Sequence, residues 1–143
     1  MTENFYSFAD LGAAYEQVLM AQDVAERMCP PGLVRFADAT VDVVQNRMRE
    51  TGIAKGFVDP RVREIMRDPK MGAELVSSLY AYLLSGRNAA QAACRLFVHR
   101  NTFDYRIAKI ERTIGFELES ISDEEAIRLI LSCKLLLSEE ERA

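Results

Sequence analysis

Tryptophan is absent from this 143-residue chain, and histidine occurs once, at His99. Cysteine occurs three times, at Cys29, Cys94 and Cys133, never in a Cys-x-x-Cys spacing. One imidazole and three scattered thiols do not supply the clustered ligands of a zinc site. Each cysteine is expected to act as a small buried apolar residue in a reducing compartment. Apolar runs are short, far from the roughly 18 residues that suggest a membrane-spanning helix. No cationic-then-apolar signal opens the chain. A cytoplasmic location with no membrane partner is therefore expected. The seven glycines form no phosphate-cradling loop, and no nucleophile–base pair stands out, so an enzyme is not expected and no cofactor or metal is implied. Basic charge is also in short supply: 18 Lys and Arg face 22 Asp and Glu, for a net charge of −4. That balance argues against a nucleic-acid coat over the whole surface, but not against a local site.

What remains is ordinary globular composition, 49% apolar and 28% charged, in a chain long enough for a real core. The scarce basic charge is gathered in one place. From Arg87 to Arg112 there are six basic residues (Arg87, Arg95, Arg100, Arg106, Lys109, Arg112) against Asp104 and Glu111, net +4, so the remainder carries −8. Within that stretch Asn88 is a good helix N-cap, and Gln91 three residues on makes a capping box. Ala89, Ala92, Ala93 and Leu96 give a short helix with small side chains, over which another helix can cross closely. Phe97-Val98-His99 breaks it. A longer helix is expected from Arg100, with Phe103, Ile107, Ile110 and Ile114 on one face and Gly115 placed to end it in a left-handed turn. Its other side carries Arg100, Asn101, Thr102, Tyr105, Arg106, Lys109 and Arg112, residue types that hydrogen-bond phosphates and base edges. A short helix, a tight turn and a helix with a basic face form the helix-turn-helix pattern, whose second helix lies in the major groove. On the bland reading the two helices simply pack in a bundle and their charges are solvated.

The stretch from Leu75 to Leu118 resembles the C-terminal helix-turn-helix of the PucR/CdaR family of bacterial transcriptional regulators. The residues that carry the resemblance are Leu83-Leu84-Ser85-Gly86, Asn88, Ala93 and Leu96, the run Val98-His99-Arg100-Asn101-Thr102, Tyr105-Arg106, Ile110-Glu111 and Gly115. The motif is also similar to that of the nucleoid protein Fis. That likeness implies that Arg100, Thr102 and Tyr105, with Arg106 beside them, fall where a recognition helix touches DNA. Asp104 departs from the pattern, standing where such helices often carry a basic or neutral residue. It would repel phosphate unless paired, with Arg100 or Lys109 as candidate partners.

Around this motif the chain reads as mainly α, a helical bundle. A helix is expected from about Phe8 to Met28, with a stripe through Leu11, Tyr15, Val18, Gln22 and Ala25, stopped by Cys29-Pro30-Pro31-Gly32. Leu33 to Phe36 is β-prone and reads as a short strand or an extended connector; a lone strand needs a partner, and none is visible nearby. Thr40 is a candidate cap for a segment from Val41 to Glu50, with Val44 and Met48 on one face. The family resemblance implies that residues 1–50 are the closing part of an upstream α/β regulatory domain. Residues 51–58, with two glycines and no period, read as a linker, and 59–143 as the helix-turn-helix domain. Asp59-Pro60 starts a helix that runs to about Arg67, with Arg61, Arg63 and Arg67 as a candidate second basic surface. Met71 to Ser85 is the scaffold helix, turned inward through Leu75, Leu79, Tyr82 and Leu83, with Tyr80 and Tyr82 read as packing residues. After Gly115, Phe116, Leu118 and Ile121 fold back on the core. Ser122 to Glu125 caps a last helix that is apolar almost all round, either buried centrally or shared with a second chain.

Two functions compete. In the first, the chain is a sequence-specific regulator with double-stranded DNA as its partner. Arg87, Arg95, Arg106, Lys109 and Arg112 would meet phosphates, and Arg100, Asn101, Thr102 and Tyr105 base edges. His99 would cap the recognition helix or touch a phosphate. A homodimer is expected, because one helix-turn-helix reads only a few base pairs. Any small-molecule effector would be sensed by a region outside this chain. In the second, the chain is a helical dimerisation or protein-interaction module that has lost DNA binding, as Asp104 and the overall acidity suggest.

Overall fold

A computed structural model describes residues 11–26 and 34–140. The described residues contain helices and no strand. The chain divides after Gly52 into two compact units.

The first unit holds α1 (Leu11–Glu26) and α2 (Phe36–Glu50), packed on each other. Ala14, Ala21 and Val24 of α1 are buried, as are Ala39, Val43, Gln45 and Met48 of α2. This corrects the face assigned to α1: Leu11, Tyr15, Val18 and Leu19 are exposed. Small alanines let two helices approach closely, so the alanine stripe outcompetes the larger apolar one for the contact. Likewise Val44 is exposed while Met48 is buried. The short strand does not form. Val34 and Arg35 carry no regular structure, Phe36 already belongs to α2, and Leu33 lies outside the described residues. With no partner strand in reach, the backbone is satisfied by helix instead. Arg35 sits at the N-cap and binds both carboxylate oxygens of Asp38, at 2.8 and 3.1 Å. Thr40 is therefore inside the helix, not its cap, and its hydroxyl donates back to the carbonyls of Phe36 or Ala37. Of the α1 expectation, Phe8 and Met28 lie outside the described residues, as do Cys29 to Gly32.

The second unit holds α3 (Ala54–Phe57), α4 (Pro60–Met66), α5 (Gly72–Leu84), α6 (Ala89–Arg95), α7 (Arg100–Ile114), a 3₁₀ turn at Leu118–Ser120 and α8 (Asp123–Glu140). Helix α5 is its axis. It packs against α4, α6, α7 and α8, and Leu75, Val76, Ser78, Leu79, Ala81, Tyr82 and Leu83 are all buried. At its N-terminus a side chain on Gly72 would collide with the backbone carbonyl of Met66, so only glycine allows α4 and α5 to cross this closely. Both α5 and α6 end in a Schellman turn. After α5, Arg87 N–H donates to Tyr82 O at 2.9 Å and Gly86 N–H to Leu83 O at 3.1 Å, with Gly86 at φ +61°.

Residues 53–58 fold onto this unit. Helix α3 packs on α8, Val58 is buried, and buried Ser132 accepts a hydrogen bond from Asp59 N–H at 3.0 Å while its hydroxyl reaches Phe57 O at 3.1 Å. Asp59 then caps α4, accepting from Arg61 N–H at 2.9 Å. Its carboxylate is nearly fully buried and is held by the Arg61 guanidinium at 2.9 Å and by Arg128 at 3.1 Å. The hydrogen bonds from Arg61 keep the Asp59 carboxyl below the usual range against the opposing effect of burial. Arg61 also pairs with Glu125 at 2.7 Å and lies over the Phe116 ring. Arg63 donates to Lys55 O, and Arg67 pairs with Glu64 at 2.9 Å. The three arginines considered as a second basic surface are thus tied within their own unit.

Helix α8 is capped as expected, Glu125 N–H donating to Ser122 Oγ at 3.2 Å. Much of its apolar surface is spent inside the unit. Leu129, Cys133 and Leu135 are buried, and Ala126, Ile130, Leu136 and Leu137 pack partly against the same core. Ile127 alone among its large apolar residues is well exposed. One side of the helix thus packs on α3, α4 and α5, while Ile127 stays open on the other. Cys133 behaves as the small buried residue expected, with burial pushing its thiol pKa far up. Cys94 does not: it is exposed on α6, because the buried face of that short helix is taken by Ala92 and Ala93. Cys29 is outside the described residues.

Candidate nucleic-acid interface

Asn88 opens α6, its side-chain oxygen accepting from Gln91 N–H at 3.0 Å. Ala92 and Ala93 bury against α5 and α7, and their size sets the close crossing. The turn that follows is a second Schellman turn: Phe97 N–H donates to Cys94 O and Val98 N–H to Ala93 O, both at 3.1 Å. Phe97 occupies the left-handed position, φ +54°, where glycine is the usual resident, and its ring is 97% exposed. Nothing in the alternation of apolar residues marked Phe97 as the residue turned out of the core. Val98, the next residue, packs partly on the core instead.

His99 is the N-cap of α7. Its backbone is extended, and Nδ1 accepts a hydrogen bond from Asn101 N–H at 3.2 Å, which requires that nitrogen to be unprotonated. Phe103 and Ile110 are fully buried, and Ile107 and Ile114 partly so; the Phe103 ring meets Tyr82 of α5 at 6.2 Å between centroids. At the far end Gly115 adopts φ +83° and donates to Glu111 O at 2.8 Å. Glu111 in turn accepts from Leu118 N–H at 2.9 Å, which folds the following segment back. Helix α7 is thus fixed at its start, along its inner face and at its end.

The outer side follows from helical spacing. Asn101, Tyr105, Ala108 and Arg112, at i, i+4, i+7 and i+11, lie on one ridge opposite Phe103 and Ile110. All four are exposed, as are Thr102 beside them and Arg95 on α6. The remaining basic residues are engaged. Arg106 is turned inward: Nη2 pairs with Glu74, Nη1 reaches Ser78 Oγ at 3.4 Å, Nε is buried without a partner, and the side chain is 12% exposed. Lys109 pairs with Asp68 between α4 and α5, and its hydrogen bond is the main cause holding the Asp68 carboxyl below its ordinary range. Arg87 donates to Ile121 O at 2.9 Å, with Asp123 at 3.4 Å. Arg112 leans on its own helix, Nε donating to Ala108 O at 3.1 Å. Arg100 is half exposed and contacts Asp104 one turn on; of the two partners weighed for Asp104, the structure selects Arg100. A groove of about 360 Å³ runs along this flank of α7, lined by Tyr82, Arg100, Asp104, Glu111, Glu117 and Glu119 among others.

A short helix, a left-handed turn and a second helix with an exposed polar ridge, all docked on a buried third helix, define a helix-turn-helix domain. Residues 75–135 match the family described as the PucR C-terminal helix-turn-helix domain. Over 84 residues, 59% of this chain, it is 30% identical to the purine catabolism regulatory protein of Bacillus subtilis (strain 168). The match spans only 16% of that protein's length. No solved structure matches. Among the described residues no cluster of His, Cys, Asp and Glu is arranged to hold a metal ion, and no helix is long and apolar enough to cross a membrane.

Proposed function

We propose that this chain acts in transcription regulation as a sequence-specific DNA-binding output domain, with α7 in the major groove. The observation that carries the reading is the exposed ridge of Asn101, Tyr105 and Arg112 on a rigidly capped second helix of a PucR-type helix-turn-helix. Base edges are met by Arg100, Asn101, Thr102 and Tyr105. Phosphates are met by Arg95 and Arg112, and by Arg87, Arg106 and Lys109 to the extent that DNA draws them from their present partners. His99 keeps the cap and holds the first turn of α7 in place. The protein works in the cytoplasm as a homodimer, whose two α7 helices enter successive major grooves about 34 Å apart. Residues 1–50 then belong to the end of a regulatory region, 51–58 lead from it into the output domain with 53–58 packed on that domain, and any effector is sensed outside this chain.

A second reading is favoured by the ion pairs. Arg106–Glu74, Lys109–Asp68 and Arg100–Asp104 neutralise three cations of the motif, as suits an interaction module that has lost DNA binding. Fluorescence-anisotropy titration of the chain with a genomic-fragment pool and a random duplex, at several salt concentrations, separates the two. Regulation predicts steep salt dependence, with some fragments held at salt where the random duplex is released. A folded chain that binds nothing at low salt supports the interaction module and sinks the DNA reading for this chain.

A further inference from the structure

Resting on the DNA-binding reading above, we propose that Asp104 is a positioning residue: it holds Arg100 so that the arginine's free edge reads guanine.

Arg100 is the first residue of α7 and Asp104 lies one turn later on the same flank. Arg100 Nε donates to both carboxylate oxygens of Asp104, at 2.8 and 2.9 Å. The carboxylate thus takes the Nε side of the guanidinium and leaves the Nη1–Nη2 edge with no hydrogen bond to the described residues. A planar guanidinium gripped at Nε has one remaining pair of parallel donors. In the major groove the acceptor pair that matches two parallel donors is O6 and N7 of guanine. Adenine offers a donor beside its N7 and opposes that edge.

The acid also has a reason to be there. An unpaired Asp104 on a DNA-facing helix would repel phosphate. An exposed i,i+4 ion pair adds little to helix stability, so fold stability does not account for it. What the pair does is restrict a long side chain before binding, which lowers the ordering cost when the contact forms. The other acids along this groove, Glu111, Glu117 and Glu119, form no ion pair with Arg100, so the restraint comes from Asp104 alone.

The test is selection of a randomised duplex library by the 143-residue chain and by Asp104→Ala, Asp104→Asn, Arg100→Ala and the double variant Arg100→Ala/Asp104→Ala. Thermal melts confirm that each is folded. The wild-type chain should select a guanine at one position of each half-site. Asp104→Ala should lose about tenfold of that preference, while its binding to random duplex holds or tightens because a negative charge has gone. Asp104→Asn keeps one acceptor for Nε and should fall between the two. Arg100→Ala should abolish the preference, and the double variant should add nothing further at that position. If Asp104→Ala tightens every duplex alike and leaves the base preference unchanged, the acid is merely repulsive and the proposal is wrong. A folded wild-type chain with no duplex preference at all would overturn the DNA-binding reading itself, a different result from sequence-selective binding that ignores Asp104.

Discussion

The two flanks of α7 are built from similar residues and put to different uses. On the outer ridge, Asn101, Tyr105 and Arg112 stand exposed with no ion pair to the described residues. One step round the helix, Arg106 is drawn down to Glu74 on α5 and Lys109 to Asp68 in the loop before it. By composition both flanks look like polyanion-binding surface. Their difference lies in which acids the neighbouring elements present, and it separates side chains left open to solvent from side chains tied down to the neighbouring elements, which fix the angle of α7. A charged residue near a helix's buried face is a structural cation when a carboxylate from another element is within reach. The same residue some 100° further round is free for a ligand.

The sharpest way to test that division sets the buried face against the ridge. Phe103→Ala removes a fully buried ring from contact with Tyr82 and should cost about 3–5 kcal/mol, measured by chemical denaturation. Tyr105→Ala, at a ring that is 54% exposed, should change stability by no more than about 0.5 kcal/mol while weakening DNA binding. A large stability loss for Tyr105→Ala would erase the distinction.

Arg106→Ala comes next. It removes a largely buried guanidinium with charge-assisted bonds to Glu74 and Ser78, and should cost about 1–3 kcal/mol. If it leaves the denaturation midpoint unchanged, Arg106 belongs with the ridge. Acid should loosen the same inner network. Asp59 and Asp68 both have folded-state pKa values lowered by cationic partners, Arg61 first for Asp59 and Lys109 first for Asp68. A lowered folded pKa contributes stability that is complete above the unfolded value of about 3.9 and is lost as pH falls through the folded one. The melting temperature should therefore show no loss from these two groups between neutral pH and about 5, then fall below about pH 4. Asp59→Asn should flatten part of that fall.

How much of this could be read from the residues depended on whether the decisive partner was near in sequence. Helix α7 was legible throughout: its cap at His99, its inner face of Phe103 and Ile110, its stop at Gly115. Each of these is set by neighbours within a turn or two, and α5 supplies a large apolar partner for the stripe. Helix α1 was legible as a helix but not in its orientation. Its large stripe of Leu11, Tyr15 and Val18 lost to Ala14 and Ala21, because the contact with α2 rewards close approach rather than bulk. Of the two readings of Leu33 to Phe36, strand or extended connector, no strand forms at the described residues 34–36: Arg35 is extended and Phe36 already starts α2, for want of a partner strand. The ion pairs of Arg106 and Lys109 join α7 to residues on distant parts of the chain, so periodicity marks the cations but not their acids. The left-handed Phe97 was hidden for a further reason. An aromatic residue in a short break reads as core, and only the two hydrogen bonds of the Schellman turn reveal that it points away.

The smallest expected effect bears most directly on the two flanks. Arg112 on the ridge and Lys109 on the inner flank both stood as phosphate ligands. Arg112→Ala should leave the fold untouched, weaken cognate and random duplex alike, and lower the slope of log affinity against log salt by about one unit. Lys109→Ala breaks a bond to Asp68 in which both side chains are largely shielded. It should lower the melting temperature slightly and change the salt slope by less than Arg112→Ala does. If instead Lys109→Ala costs a full unit of slope, DNA draws Lys109 off Asp68 on binding. The inner flank would then be a reserve of phosphate contacts opened by the ligand, and Asp68, left unpaired in the complex, would be the group whose replacement tightens binding.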